Sequence, residues 1–380
     1  MVVVIKFIDK YFGNFLCNVL GLLIREKKVY DSKSINKILV VQFWGIGETI
    51  LTLPAIEALG EKFKNARIDI LATSRNKDVF FENANINRIY VLRLNPFSII
   101  NFIFKNGKSY DLVIDMEEYL NISAIISFFS GKRIIGYSHD ARAKLYTNTV
   151  KYNDKQHSVQ TFLDLVRVLK IDCDADKLPK LNFSKSDKNL VDNFLKNNNL
   201  RNNDFTVCLA PGAAESAKSR MWPYDRYAEL CDEIAIKYKA KIIFVGSLNE
   251  TEVIEDIQKR MENKDKTTIA AGKLNLTQLF YLISKCKLFI GNDSGPMHIS
   301  AAQGIKTIGL FGPNIPIRFG PYGKGNIGLY KGHNCEFSPC INVHLGQVPD
   351  CLYPKNSNDY QKCMKNISVD DVLKEVEKLV

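Results

Sequence analysis

From Lys37 onward the chain alternates short, nearly all-apolar runs with longer amphipathic ones. Residues 38–43 read Ile-Leu-Val-Val-Gln-Phe, the pattern of a strand buried on both faces of a parallel sheet. Similar runs predict strands at 68–72, 89–92, 112–115 and 133–137, with a helix after the turn at 44–48 and another over 157–170. Strand, helix and strand in repetition imply right-handed crossovers and a parallel sheet. Residues 179–204 are polar, with one helical stretch near 186–197, and read as a linker region opening a second half. Strands at 205–210, 241–245, 268–270, 288–290 and 307–310 then alternate with helices near 224–238, 250–261 and 275–285. The last helix, over 368–380, starts at a capping box formed by Ser368 and Asp371. The pattern predicts an α/β chain of two Rossmann-like halves. Its expected parts are an extension (1–36), a first domain (37–178), a second (179–365) and a closing helix (366–380).

The extension has its own periodicity. Ile5, Phe7, Ile8, Tyr11, Phe12, Phe15, Leu16, Val19, Leu20 and Leu23 recur at helical spacing, and the segment ends in Arg25, Lys27 and Lys28. Two readings stand level. One is an amphipathic helix lying in a membrane interface, its cations near anionic headgroups. The other is a helix packed on the protein's own core.

Composition narrows the picture a little. A length of 380 residues allows two buried cores, and the net charge of +11 favours anionic partners without choosing among them. No run of eighteen apolar residues predicts a bilayer span, and no small-residue cleavage site predicts a secretory signal. Of nine cysteines, five (Cys17, Cys173, Cys208, Cys231, Cys286) are scattered among apolar neighbours, as in a reducing cytoplasm. Cys335, Cys340, Cys351 and Cys363 fall late in the chain without close CxxC pairs. Ordinary thiols in an ordered loop are expected there, and a structural zinc is the alternative.

Chemistry gathers at three turns. Gly291-Asn292-Asp293-Ser294-Gly295-Pro296-Met297-His298 joins a buried strand to a helix closed by Gly304, and free N–H groups at such a helix start welcome phosphate. Gly45-Ile46-Gly47 closes the first strand, with Glu48 at the helix start. It lacks the third glycine of a dinucleotide fingerprint and the later ribose acid, which argues against NAD. Ala210-Pro211-Gly212-Ala213 closes the first strand of the second half, followed by Lys218-Ser219-Arg220-Met221-Trp222-Pro223. Cations there suit a phosphate. Trp222 itself reads better as a helix-start staple than as a ligand platform.

These segments together resemble glycosyltransferase family 9, the lipopolysaccharide heptosyltransferases. The resemblance rests on Gly47 to Ile56, on Pro211-Gly212-Ala213 with Lys218 to Pro223, on Asp293 to His298 and on Phe311-Gly312-Pro313, in the family's order. It implies the GT-B architecture, two Rossmann-like domains facing a cleft, and an inverting transfer of a sugar, heptose in the relatives, from a nucleotide-diphosphate sugar to a lipid-linked saccharide. Glu48 stands where the family places its proposed base, usually an aspartate, and Leu51 where its heptosyltransferases carry a histidine. Arg220 matches the phosphate-binding lysine, and Lys218 does so if one residue is inserted. Glu250 matches the acid that contacts the nucleotide ribose. Gly212, Asp293, Ser294, Gly295 and His298 complete the donor set. The first half faces the acceptor in this family, so Gly47 and the basic Lys132, Arg133, Arg142 and Lys144 are its acceptor-side candidates. The resemblance implies no metal or other cofactor, no nucleic-acid partner, and a peripheral place at the inner face of the cytoplasmic membrane.

The physics agrees with that reading. A helix N-terminus with one cation stabilises a leaving diphosphate, and one carboxylate takes the acceptor proton. An epimerase or hydrolase of nucleotide sugars, or a non-catalytic basic binding protein, are the competing readings.

Overall fold

The computed structural model describes residues 8–23, 35–213 and 215–380. Arg25, Lys27 and Lys28, on which part of the membrane expectation rests, lie outside them. The chain divides into two compact units, Met1–Ala175 and Asp176–Val380.

In the first unit a helical turn, Asp9–Gly13, runs into α1 (Asn14–Gly21). There follow β1 (Lys37–Val41), α2 (Ile46–Lys62), β2 (Arg67–Ala72), β3 (Arg88–Val91), α3 (Pro96–Asn106), β4 (Tyr110–Asp115), α4 (Asn121–Ser130), β5 (Gly131–Tyr137), β6 (Asn148–Val150) and α5 (Ser158–Arg167). The six strands pair in parallel in the order β3-β2-β1-β4-β5-β6. Val40 sits beside Ile70 on one side and Ile114 on the other, and Leu39, Val40 and Val41 are fully buried, as their unbroken apolar run requires.

The second unit repeats the plan. It contains α6 (Lys185–Asn197), β7 (Thr206–Ala210), α7 (Tyr224–Tyr238), β8 (Lys241–Phe244), α8 (Thr251–Arg260), β9 (Thr267–Ile269), α9 (Leu276–Ser284), β10 (Leu288–Asn292), α10 (Gly295–Gln303), β11 (Lys306–Phe311), β12 (Ile327–Tyr330) and α11 (Val369–Leu379). Its parallel order is β12-β11-β10-β7-β8-β9. In each sheet the order reverses between the first and fourth strands, where such sheets take ligands at their carboxyl ends.

Three parts differ from the sequence pattern. β6 and β12, of three and four residues, were not foreseen, because edge strands this short carry little periodicity. The polar 179–204 stretch is not a loose connection. Its helix α6 starts at a capping box formed by Ser184 and Asp187, and Tyr281 of α9 donates a hydrogen bond to Asp192 at 3.0 Å. The closing helix α11 carries the expected capping box, and Val372 and Val376 enter the core of the second unit beside Trp222 and Tyr227.

The N-terminal helix packs on its own unit along one side. Cys17 is fully buried, and Asp9 accepts backbone hydrogen bonds from Asn121 at 2.9 Å and Ile122 at 2.7 Å. Asp9 thereby caps the start of α4 from a distant part of the chain. The other side, with Ile8, Phe12, Phe15 and Leu22, is exposed.

Candidate active site

In the second unit β10 ends at Asn292, and α10 starts three residues later, at Gly295, with Pro296 in its first turn. Proline there forfeits only a donor that has no helical partner, and the neighbouring N–H groups point outward. Ser294 stands at the N-cap without a side-chain cap bond, and its hydroxyl has no hydrogen-bond partner among the described residues. His298 lies one turn further on and is buried. Asp293 is held from two directions. Arg220 Nη1 lies 3.2 Å from its carboxylate, and Asn314 donates to the same oxygen at 2.9 Å. Arg220 Nη1 also donates to the Asp293 carbonyl at 3.3 Å. Lys218 is exposed and makes no such bond among the described residues, so the fold brings Arg220 to the start of α10.

Gly212 and Glu250 meet at the end of β7. A Cβ on Gly212 would lie 1.8 Å from Glu250 Oε1, so only glycine leaves the carboxylate its place. The other Glu250 oxygen accepts from the Ser247 N–H at 2.6 Å and its hydroxyl at 2.8 Å, a capping box that fixes the side chain.

Sequence reasoning missed Asn292. Its Nδ2 donates to the carbonyls of Pro211 (2.7 Å) and Gly212 (3.2 Å), and its Oδ1 accepts from the Trp222 N–H (3.1 Å) and the Tyr227 hydroxyl (3.0 Å). All four capacities of the amide are used, and the β7 loop is tied to the end of β10. The one available signal was an asparagine in an otherwise apolar strand. Trp222 is fully buried, with its indole N–H on the Ile367 carbonyl at 2.9 Å, which makes it structural.

In the first unit Glu48 stands in the first turn of α2 and folds back over Gly45, whose Cβ would lie 2.5 Å from Glu48 Oε2. Gly47 shares that turn and is half-buried. Thr49 Oγ1 donates to the carbonyl of Gly45 at 2.9 Å and receives the Asn76 amide at 2.9 Å, which closes the turn from below. Two further acids follow β4. Glu117 is buried and accepts backbone hydrogen bonds from Phe43 and, at 3.0 Å, from Trp44. Burial pushes its pKa up to about 8, against the pull of those N–H groups. Glu118 accepts the Tyr152 hydroxyl at 2.9 Å. The Tyr119 phenol is pushed well up by burial, and by the negative charges of Glu117, Glu48 and Glu118.

The basic side chains proposed for an acceptor do not gather here. Arg142 is fully buried, 3.0 Å from the Asp115 carboxylate, with Tyr146 and Ser123 as further partners. It balances a buried charge and does not face a ligand. Lys132 and Arg133 follow Gly131 at the amino end of β5, the end of the sheet opposite the turn that follows β1. There Lys132 pairs with Asp111 at 2.9 Å and Arg133 bonds Asn148 at 3.2 Å. Lys144 donates to Asn18 of α1 at 2.7 Å and packs beneath that helix.

Among the described residues no group of three or more His, Cys, Asp or Glu is arranged to hold a metal ion. Burial pushes the Cys363 thiol up to about 12 and Cys340 up to about 11, so both stay protonated near neutral pH.

The model of glycosyltransferase family 9 (heptosyltransferase) matches residues 106–344. The chain belongs to that family. This glycosyltransferase is 25% identical over 339 residues to lipooligosaccharide heptosyltransferase 2 of Campylobacter jejuni, covering 88% of this chain and 95% of the relative. It is 25% identical over 303 residues to lipopolysaccharide heptosyltransferase 3 of Escherichia coli, covering 76% and 86%. A solved family 9 structure from Veillonella parvula superposes with a TM-score of 0.75 at 24% identity, over 90% of this chain and 97% of the other. The Escherichia coli ADP-heptose lipopolysaccharide heptosyltransferase II gives 0.69 at 19%, over 90% and 98%. The two Rossmann-like units of this glycosyltransferase are thus those of the GT-B architecture.

Proposed function

We propose that this glycosyltransferase moves heptose from ADP-heptose onto the core of a lipopolysaccharide or lipooligosaccharide, at the inner face of the cytoplasmic membrane. The observation that carries the donor side is the nesting of Glu250 against Gly212, tied through Asn292 to the loop that opens α10. Glu250 presents a carboxylate for ribose hydroxyls, and the N–H groups at the start of α10 take the diphosphate. Arg220 adds a cation beside Ser294 and Asp293. Those groups favour the charge that develops on the departing ADP. Glu48 accepts the proton of the attacking acceptor hydroxyl while the bond from the anomeric carbon to the diphosphate oxygen breaks. One displacement inverts the anomeric centre.

The names of the relatives support heptose and the lipopolysaccharide or lipooligosaccharide acceptor. ADP-heptose as donor is supported by the Escherichia coli ADP-heptose heptosyltransferase II, which shares the fold. Attachment to the membrane through the N-terminal helix belongs to the same reading, and its exposed apolar side supports it. The test is incubation of the purified protein with ADP-heptose and heptose-free core lipopolysaccharide, read by mass spectrometry. Addition of one heptose to the acceptor is expected. Donor turnover at the same rate without acceptor would sink the transferase reading in favour of a hydrolase or epimerase.

A further inference from the structure

Helix α3 is apolar on both sides. Phe102 is buried and Ile99 and Ile103 pack beside it, which accounts for the inward face. Outward, Phe97, Ile100 and Phe104 follow helical spacing, and the two phenylalanines are 86% and 84% exposed. A helix on a water-facing surface ordinarily carries polar residues there. The N-terminal helix shows the same reversal, with Phe12 and Phe15 outward. Both pack against α4, so they flank one helix on one side of the sheet.

The charges beside these stripes have one sign. From Asn83 to Tyr110 every charged side chain is a cation, and Arg93 and Lys105 are exposed, while the Lys108 ammonium is held by the carbonyls of Phe128 and Gly131. Along residues 8–23 the one acid, Asp9, is turned inward onto the start of α4, while Lys10 is exposed. A second copy of such a face would meet like charge. An anionic bilayer surface offers both an apolar layer for the aromatics and phosphates for the cations. No helix among the described residues is long and apolar enough to cross a membrane, so the contact is interfacial.

We propose that α3 and the N-terminal helix form one docking face for an anionic lipid surface, with Phe97 and Phe104 of α3 as its second point of insertion. This inference rests on the reading of a lipid-linked acceptor and extends the contact beyond the N-terminal helix. The test is flotation of the full-length protein with phosphatidylglycerol-containing vesicles and with pure phosphatidylcholine vesicles. The wild type is expected to float with the anionic vesicles only. F97S/F104S, whose replaced side chains are exposed, is expected to keep its melting temperature and to lose at least about tenfold in vesicle partitioning. Its transfer to a delipidated, soluble acceptor should not change. Equal flotation of wild type and F97S/F104S would overturn the proposal, as would equal binding to both vesicle types. A wild-type dimer in light scattering that the variant dissociates would assign the face to a second copy and overturn it too. Flotation needs no turnover, so a protein that docks as expected yet transfers no sugar would refute the catalytic reading and leave the docking face standing.

Discussion

Glu48, in the first turn of α2, folds its carboxylate back over Gly45. Glu48→Gln keeps the shape and removes the proposed base. Transfer is expected to fall by about a hundred- to ten-thousand-fold with ADP binding unchanged, as steady-state rates and calorimetry will show. Gly212→Ala places a methyl group where Glu250 Oε1 now lies, 1.8 Å from the new carbon. Displacement of Glu250 should weaken ADP binding by at least about tenfold, roughly 1.4 kcal/mol, in the same calorimetric titration. Glu117 gives a pH prediction. Its folded pKa is raised from 4.5 to about 8, so between those values the folded protein holds a proton that the unfolded chain has released. Stability from this group is therefore full below about pH 4.5 and is lost as pH rises towards 8. Melting temperatures measured from pH 5 to 9 should fall, and Glu117→Gln should flatten the fall. Among these residues Glu48, Gly212 and Glu250 could be picked out from the sequence, because each belongs to a local motif. Asn292 and Glu117 could not, since each acts on backbone some seventy or more positions away. Arg142 was misplaced for the same reason, its partner Asp115 being 27 residues distant.

The core strands and the capped α11 were legible as elements because a buried parallel strand is an apolar run and a capping box is local. β6 and β12 were not, since pairing with a neighbouring strand, and not their own pattern, defines them. The N-terminal helix left two readings level, and the structure gives it one face for each: Cys17 and Asp9 inward, Phe12 and Phe15 outward. Asp9→Ala leaves two N–H groups at the start of α4 without their acceptor. A loss of about 1 kcal/mol is expected, seen as a lower midpoint in urea with an unchanged slope. Removing residues 1–23 deletes the buried Cys17 as well and should cost more than that single change.

At the scale of the molecule, each unit carries its own core. The residues proposed to hold the donor, Gly212, Arg220, Glu250, Asp293 and Ser294, all belong to Asp176–Val380. Saturating ADP, at about a hundred times its Kd, should therefore stabilise that unit by about 2.7 kcal/mol. Hydrogen exchange should slow across residues 176–380 and stay unchanged across 1–175. The repeated strand order also repeats a brace. In the first unit Glu117, just past the fourth strand, holds the backbone that follows the first strand; in the second, Asn292 does the same for Pro211 and Gly212. One brace is an acid and the other an amide. A glutamate codon becomes a glutamine codon by changing one nucleotide, so a lineage can exchange a proton-responsive brace for a proton-indifferent one in one mutational step.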